Sequence, residues 1–337
     1  MKPIVSIIKG LNIEKSLQKA IEQLGGMESI ISPGSKVLIK PNLTAALPPE
    51  AGAACDPAIV KGLAQHALQA GASKVVIAEG IGTGVVFLKD VKGLKEISEI
   101  KGVEVVDLND APTEVVKVEN PLVVEQFEVP RVVIESDVLI NLAKLKVHPL
   151  AVFTLGMKNL MGALPGRSFR NPAEARKHGY LTPVMPGGGK EVFHDLVRDR
   201  GIPVMQEAFV DLNSVIRSHL CVIDGLFGME GKGSPVHGKP VKMDLLVMGT
   251  DLVAVEAVGA AVMGFDPPSF SYLNRAVEKG LGQEVRLEGI EIRGEKISHA
   301  KRVFEPASAA ALWPEGMYGM RNSECGLGNE GSRVRSQ

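Results

Sequence analysis

Between Asn141 and His148 the chain reads NLAKLKVH, with Lys144, Lys146 and His148 alternating with apolar residues. Alternate side chains of an extended backbone leave on the same side, so this spacing lines two amines and an imidazole along one face. Three groups able to carry positive charge repel one another at such range unless an anion lies among them. The pattern therefore predicts either an anion site or a solvated edge strand whose lysines discourage pairing with another sheet. Lys158-Asn159 follows in TLGMKNLMGALPG, an apolar, glycine-punctuated stretch where an ammonium group is costly unless paired or used. Arg167, after Pro165-Gly166, offers a planar fork for a carboxylate or phosphate. Lys40 ends the apolar run KVLIK and precedes the turn residues Pro41-Asn42.

These residues suggest proton transfer on a small anionic ligand. A lysine desolvated among other cations gives up its proton more readily and can act as a base or as a nucleophile toward a carbonyl. His148, with cations around it and Pro149 favouring an extended backbone, is expected as a free base near neutral pH. Lys144, His148 and Lys158 are thus the catalytic candidates, and Lys40, Asn42, Lys146, Asn159, Arg167, Gly233 and Asp224 the ligand-binding ones. The segment DGLFGMEGKGSPVHG (224–238) reads as a turn whose backbone amides, Gly233 among them, can cradle an oxyanion. It lacks the Gly-Lys-Ser/Thr ending of a nucleotide-binding loop. His148 with Glu79, Asp224 or Asp251 can in principle hold a divalent ion, although no close ligand spacing supports it. No cofactor is identifiable from these residues. Cys55, Cys221 and Cys325 are too far apart for an iron–sulfur run, so no such cluster is expected from this chain, and Cys221 in LCVID reads as core.

The elements that must position these groups follow a βαβ rhythm. KVLIK (36–40) is a strand, Asp56-Pro57 opens a helix that Gly71 closes, and KVVIAEG (74–80) is the next strand. Further strands are expected at 103–107, 137–142, 220–224 and 244–249, with helices around 207–217 and 251–263, the latter capped by Asp251 and stopped by Gly264. Residues 112–130 read as a β-rich excursion, a hairpin. The fold class is therefore α/β: a mostly parallel, mixed sheet wrapped by helices on both faces, with that small excursion. In such sheets ligands bind beyond the carboxyl ends of the strands, where Lys40, Glu79 and Asp224 fall. One domain is expected over 1–306 and a loose tail over 307–337, while the Gly-, Pro- and Arg-rich segment 162–190 reads as a lid. Asp211 in FVDLN faces either the site or solvent.

Composition narrows the functional classes. Apolar residues are 45% and aromatics 4%, so aliphatic side chains must fill the core and few rings are available to stack bases. A formal net charge of −1 supplies no general attraction to nucleic acid or an anionic membrane. The stretch IVSII near Met1 is too short for the core of a signal peptide, and no run reaches a membrane span. The expectation is a cytoplasmic protein that binds neither nucleic acid nor membrane; a homo-oligomer is compatible with the sequence.

VLIKPNL (37–43), Cys55-Asp56-Pro57, INLAKLKVH (140–148), TLGMKNLMG (154–162), VIDGLFGMEGKGSPVHG (222–238) and GTDLVAVEAVGAAVMG (249–264) resemble, in order, the blocks of domain-of-unknown-function family 362. The resemblance covers about residues 35–268. It implies motif roles for Lys40, Asn42, Asp56, Lys144, Lys146, His148, Lys158, Asn159, Asp224, Gly233 and Asp251. Many members carry an added ferredoxin-like segment with cysteine ligands for [4Fe–4S] clusters; this sequence departs from them in having no such run. The leading expectation is an enzyme acting on a carboxylated or phosphorylated metabolite, by isomerase, lyase or hydrolase chemistry. The alternative is a non-catalytic binding or redox-partner module whose cofactor another protein supplies.

Overall fold

The structure, a computed structural model, describes residues 1–10, 12–43, 47–80, 88, 91–149, 151–166, 202–232, 234 and 236–307. Arg167, Gly233, most of the expected lid and nearly all of the expected tail lie outside the described residues. In chain order the elements begin with β1 (Ile4–Lys9), α1 (Ile13–Gln23), β2 (Lys36–Pro41), α2 (Pro57–Gln69), β3 (Lys74–Glu79), α3 (Leu94–Ser98) and β4 (Val103–Asp107). Next come β5 (Thr113–Lys117), β6 (Gln126–Pro130), α4 (Arg131–Ile134), β7 (Val138–His148), β8 (Val152–Thr154) and α5 (Gly156–Asn159). The remainder are α6 (Ile202–Val215), β9 (Leu220–Glu230), β10 (Lys239–Gly249), α7 (Leu252–Val262), α8 (Ser271–Glu278), β11 (Glu291–Gly294) and α9 (Ile297–Ala300).

Nine strands form one sheet in the order β11-β1-β10-β9-β7-β2-β3-β4, with β8 paired to β7. Only β10 and β8 run against the others, so the sheet is mixed but mostly parallel. Strand residues alternate between two apolar layers. Val37 and Ile39 face the layer built by α1 and α2, while Leu38 faces the one built by α6, α7 and α8. Helices therefore cover both faces, and β5 pairs antiparallel with β6 as the separate hairpin. Among the described residues no helix is long and apolar enough to cross a membrane.

Local chemistry explains the boundaries. Asp56 accepts from the Ala58 amide at 2.8 Å to open α2, with Pro57 in the first turn, and Gly71 at φ +97° ends it. Asp251 caps α7 in the same way through Ala254 at 2.9 Å. One expectation needs correcting, and one strand is added. Strands β7, β9 and β10 are each 11 residues long, so Gly225 and Gly228 lie within β9 rather than in a turn. Those glycines permit close strand contact: a Cβ on Gly228 would stand 2.8 Å from the Leu145 carbonyl, and one on Gly225 would stand 3.1 Å from that of Leu245. The run IVSIIK, which in sequence is only a short apolar segment, is strand β1, held between β10 and β11.

Asp211 faces neither site nor solvent. Fully buried on α6, its carboxylate accepts from the amides of Leu122, Val123 and Val124 at 2.8–3.1 Å and from Lys279 at 3.0 Å, tying the β5–β6 connection to the helices. Asp211→Ala strips the acceptor from three amides and should cost about 3 kcal/mol in urea unfolding. A loss below about 1 kcal/mol, the net worth of one ordinary hydrogen bond, would show that water replaces it.

Candidate functional site

At the carboxyl ends of β2, β3 and β7 the chain folds back through the short β8 and the turn of α5, which lays Asn159 across the strand ends. Its Oδ1 accepts from Lys40 Nζ and from Asn42 Nδ2, each at 3.0 Å. Its Nδ2 donates to Asn141 Oδ1 at 2.8 Å and to the Leu142 carbonyl at 3.0 Å. Asn42 Oδ1 in turn accepts from Lys146 Nζ at 3.1 Å. One hydrogen-bonded chain thus links Lys40, Asn159, Asn42 and Lys146. Next to it, Gly162 leaves room that a side chain would take, since a Cβ there would stand 2.7 Å from Lys40 Nζ.

The lysines are brought close together but differ in their partners. Lys40 is paired with Glu79 at 2.7 Å and Lys144 with Asp224 at 2.8 Å, all four side chains buried. Asp224 also accepts from the amides of Asp56 and Leu226, both at 2.9 Å. Lys146, 1% exposed, donates to the Ala53 carbonyl at 2.6 Å as well as to Asn42. Burial, and then the charges of Lys158 and Lys144, hold its pKa well below that of an ordinary lysine. Lys158 itself is half-buried. The Cys55 thiol donates to the carbonyls of Leu142 and Ala143 at 3.5 Å; burial and then the charge of Asp224 push it up to about 12, so it remains a thiol.

His148 lies at the β7–β8 hairpin, where its Nδ1 accepts from the Ala151 amide at 3.1 Å. A neutral ring making that bond carries its proton on Nε2, so taking up a second proton would break it. The metal candidates do not assemble. Glu79 is engaged by Lys40, Asp224 by Lys144, and Asp251 by α7 and by the Gln283 amide at 2.8 Å. Asp251 follows β10, whose Gly249 pairs with Cys221 at the start of β9, and so stands at the opposite edge of the sheet. Among the described residues no three His, Cys, Asp or Glu side chains group to hold a metal. Cys221 is core, as its apolar surroundings suggested.

Several participants were not singled out from sequence. Asn141 donates to the Gly156 carbonyl at 2.8 Å, and Asn213 to that of Met157 at 2.9 Å. Glu256, the one acid in the apolar run LVAVEAVGAAV, accepts from the Met157 amide at 2.9 Å. The available signal was a polar residue inside an apolar run, which must find a partner.

Residues 37–261 match the family described as Domain of unknown function (DUF362). The chain belongs to this family. Thylakoid-associated protein sll1697 of Synechocystis sp. is 27% identical over 275 residues, covering 79% of this chain and 74% of that protein. Among solved structures, the lactate racemase apoprotein of Thermoanaerobacterium thermosaccharolyticum aligns with 77% of this chain at 15% identity and a TM-score of 0.42. A Thermotoga maritima protein aligns with 81% at 14% identity and a TM-score of 0.41. The chain spans 57% and 59% of those two structures, respectively.

The buried charges of this DUF362 site should be visible in its stability. Lys40→Met leaves Glu79 buried without its cation and should cost about 3–5 kcal/mol, most of which Lys40→Met/Glu79→Leu should recover. Equal losses in single and double variants, by urea unfolding, would refute an uncompensated charge. For Lys146, the unfolded chain keeps the proton up to about pH 10.4, whereas the folded chain releases it at lower pH. The unfolded state then binds more protons between those values, so stability rises with pH there, by at most about 1.4 kcal/mol per pH unit. Wild type should gain on Lys146→Met over that window; parallel pH profiles would show that Lys146 titrates normally.

Proposed function

We propose that this DUF362 chain is an enzyme that moves a proton on a small carboxylated or phosphorylated metabolite, with Lys146 as the base and Lys158 binding the anion. The observation that carries this reading is the buried Lys146 amine at the strand ends, its pKa lowered by burial and by the neighbouring Lys158 and Lys144 charges. A lysine in that state gives up its proton more readily than an ordinary one and can serve as a base, and an anion arriving beside Lys158 meets a half-buried residue whose charge already acts on that amine. The role moves to Lys146 because Lys144 is paired with Asp224 and His148 uses Nδ1 within its hairpin. Asn42 and Asn159 orient the amine and the turn that carries Lys158.

The test can be run before the reaction is identified. A panel of small carboxylates and phosphates is screened by thermal shift, and each ligand found is incubated with enzyme in D2O while proton NMR follows its C–H signals. The expected result is solvent exchange at one carbon, lowered about 10²-fold or more by Lys146→Met with binding kept within a few-fold. Lys158→Met should weaken binding instead. A ligand that binds tightly but neither exchanges nor turns over would replace this reading with a non-catalytic binding module.

A further inference from the structure

We propose that Glu256 is a positioning residue for the candidate site: by gaining or losing a proton, its carboxyl group changes the hold on the turn that presents Lys158 and Asn159. Glu256 is 1% exposed within α7, a helix buried on every side. Its Oε2 accepts from the Met157 amide at 2.9 Å, and its Oε1 from the Tyr272 hydroxyl at 3.2 Å. The peptide group whose N–H it takes has its other end held as well, because the Gly156 carbonyl accepts from Asn141 Nδ2 at 2.8 Å. Asn141 Oδ1 then accepts from Asn159 Nδ2 at 2.8 Å. From Tyr272 the bonds pass without a gap through Glu256, one peptide group, Asn141 and Asn159 to Asn42 and Lys146.

The two forms of the carboxyl group hold that peptide differently. As an anion, both oxygens accept, and the bond to Met157 is charge-assisted, roughly twice as strong as a neutral one. As an acid, one oxygen must donate, which reverses the bond with Tyr272 and leaves Met157 a neutral carbonyl. Neighbouring bonds polarise one another in a buried network, so the change reaches Asn159. Burial raises the carboxyl to about 7, against the Met157 and Tyr272 bonds that lower it, which puts both forms within the ordinary pH range.

The surroundings isolate this titration. Tyr272 from α8 and Cys221 from β9 face Glu256, and burial raises both well above their usual values, so they stay neutral while it ionises. Val5 and Ile7 of β1, Leu245 and Val247 of β10 and Ala300 of α9 contribute only apolar side chains to that layer. The charged residue of α5 is Lys158, whose ammonium acts on Lys146. Only the catalytic consequence rests on the function proposed above; the titration can be read without substrate.

The experiment is a pH series of TROSY spectra on the full chain labelled with 15N-methionine and 15N-asparagine. The Met157 and Asn159 amides should shift together with a midpoint near 7, the value burial gives the carboxyl. Glu256→Gln should abolish that movement. Tyr272→Phe, which keeps Glu256 and removes a donor to its charged form, should raise the midpoint and serves if Glu256→Gln does not fold. Amides that stay still in wild type, movement that persists in Glu256→Gln, or an unchanged midpoint in Tyr272→Phe would each overturn the proposal. If the titration is found but no ligand exchanges in D2O, the clamp stands and the catalytic reading falls.

Discussion

A carboxamide has two N–H donors and one oxygen with two lone pairs, and Asn159 uses all of them inside the protein. Its oxygen accepts from Lys40 and Asn42 at the end of β2, and its nitrogen donates to Asn141 and Leu142 of β7. Because a buried polar group left unmatched costs more than a matched one gains, the satisfied geometry is narrow. It requires α5 to stop at one height above the sheet, β7 to run past its neighbours, and Gly162 to lack a side chain beside Lys40. The turn that supplies Asn159 is too short to hold itself, and so Asn141, Asn213 and Glu256 fasten its backbone from β7, α6 and α7. The strand ends, the turn and the helices behind it are one polar construction set into an aliphatic core.

The same enclosure treats three lysines in two ways. Lys40 and Lys144 keep carboxylate partners, so each is an ion pair whose Coulomb attraction offsets lost hydration. Lys146 donates to a carbonyl and an amide oxygen, among its partners, which a neutral amine can also do, and burial and then two neighbouring cations raise the cost of charging it. Stability alone would favour a methionine at such a position. An amine at a position that stability would give to an apolar side chain is the physical ground of the role proposed for it.

The parts of this arrangement that were legible in the sequence are those governed by local pattern. Asp56-Pro57 before an apolar helical face fixes α2, and alternating lysines in an apolar run place Lys144 and Lys146 on one side of a strand. Partnership was not legible, because it is set by register between distant strands: Lys144 lies opposite Asp224 only because β7 and β9 align that way. Direction was not legible either. Asp251 follows a strand as Glu79 ends one, yet β10 is antiparallel, and a strand running the other way delivers its last residue to the far edge. Gly225 and Gly228 suggested a turn because glycine marks both turns and close strand contacts, and only the packing of Leu145 and Leu245 against them distinguishes the two.

Strand β1 carries a cost of a different kind. It is an interior strand of the sheet, and its two neighbours, β10 and β11, come more than two hundred residues later in the chain. On the ribosome its two edges must wait, unpaired and apolar, until β10 and then β11 have been synthesised. Closure over such a span loses much chain entropy before any contact compensates it, so the last step of sheet assembly is slow. The half of the sheet that carries β2, β3 and β4 can form well before then. Emerging chains are therefore most exposed to association through IVSIIK, a liability that follows from strand order alone.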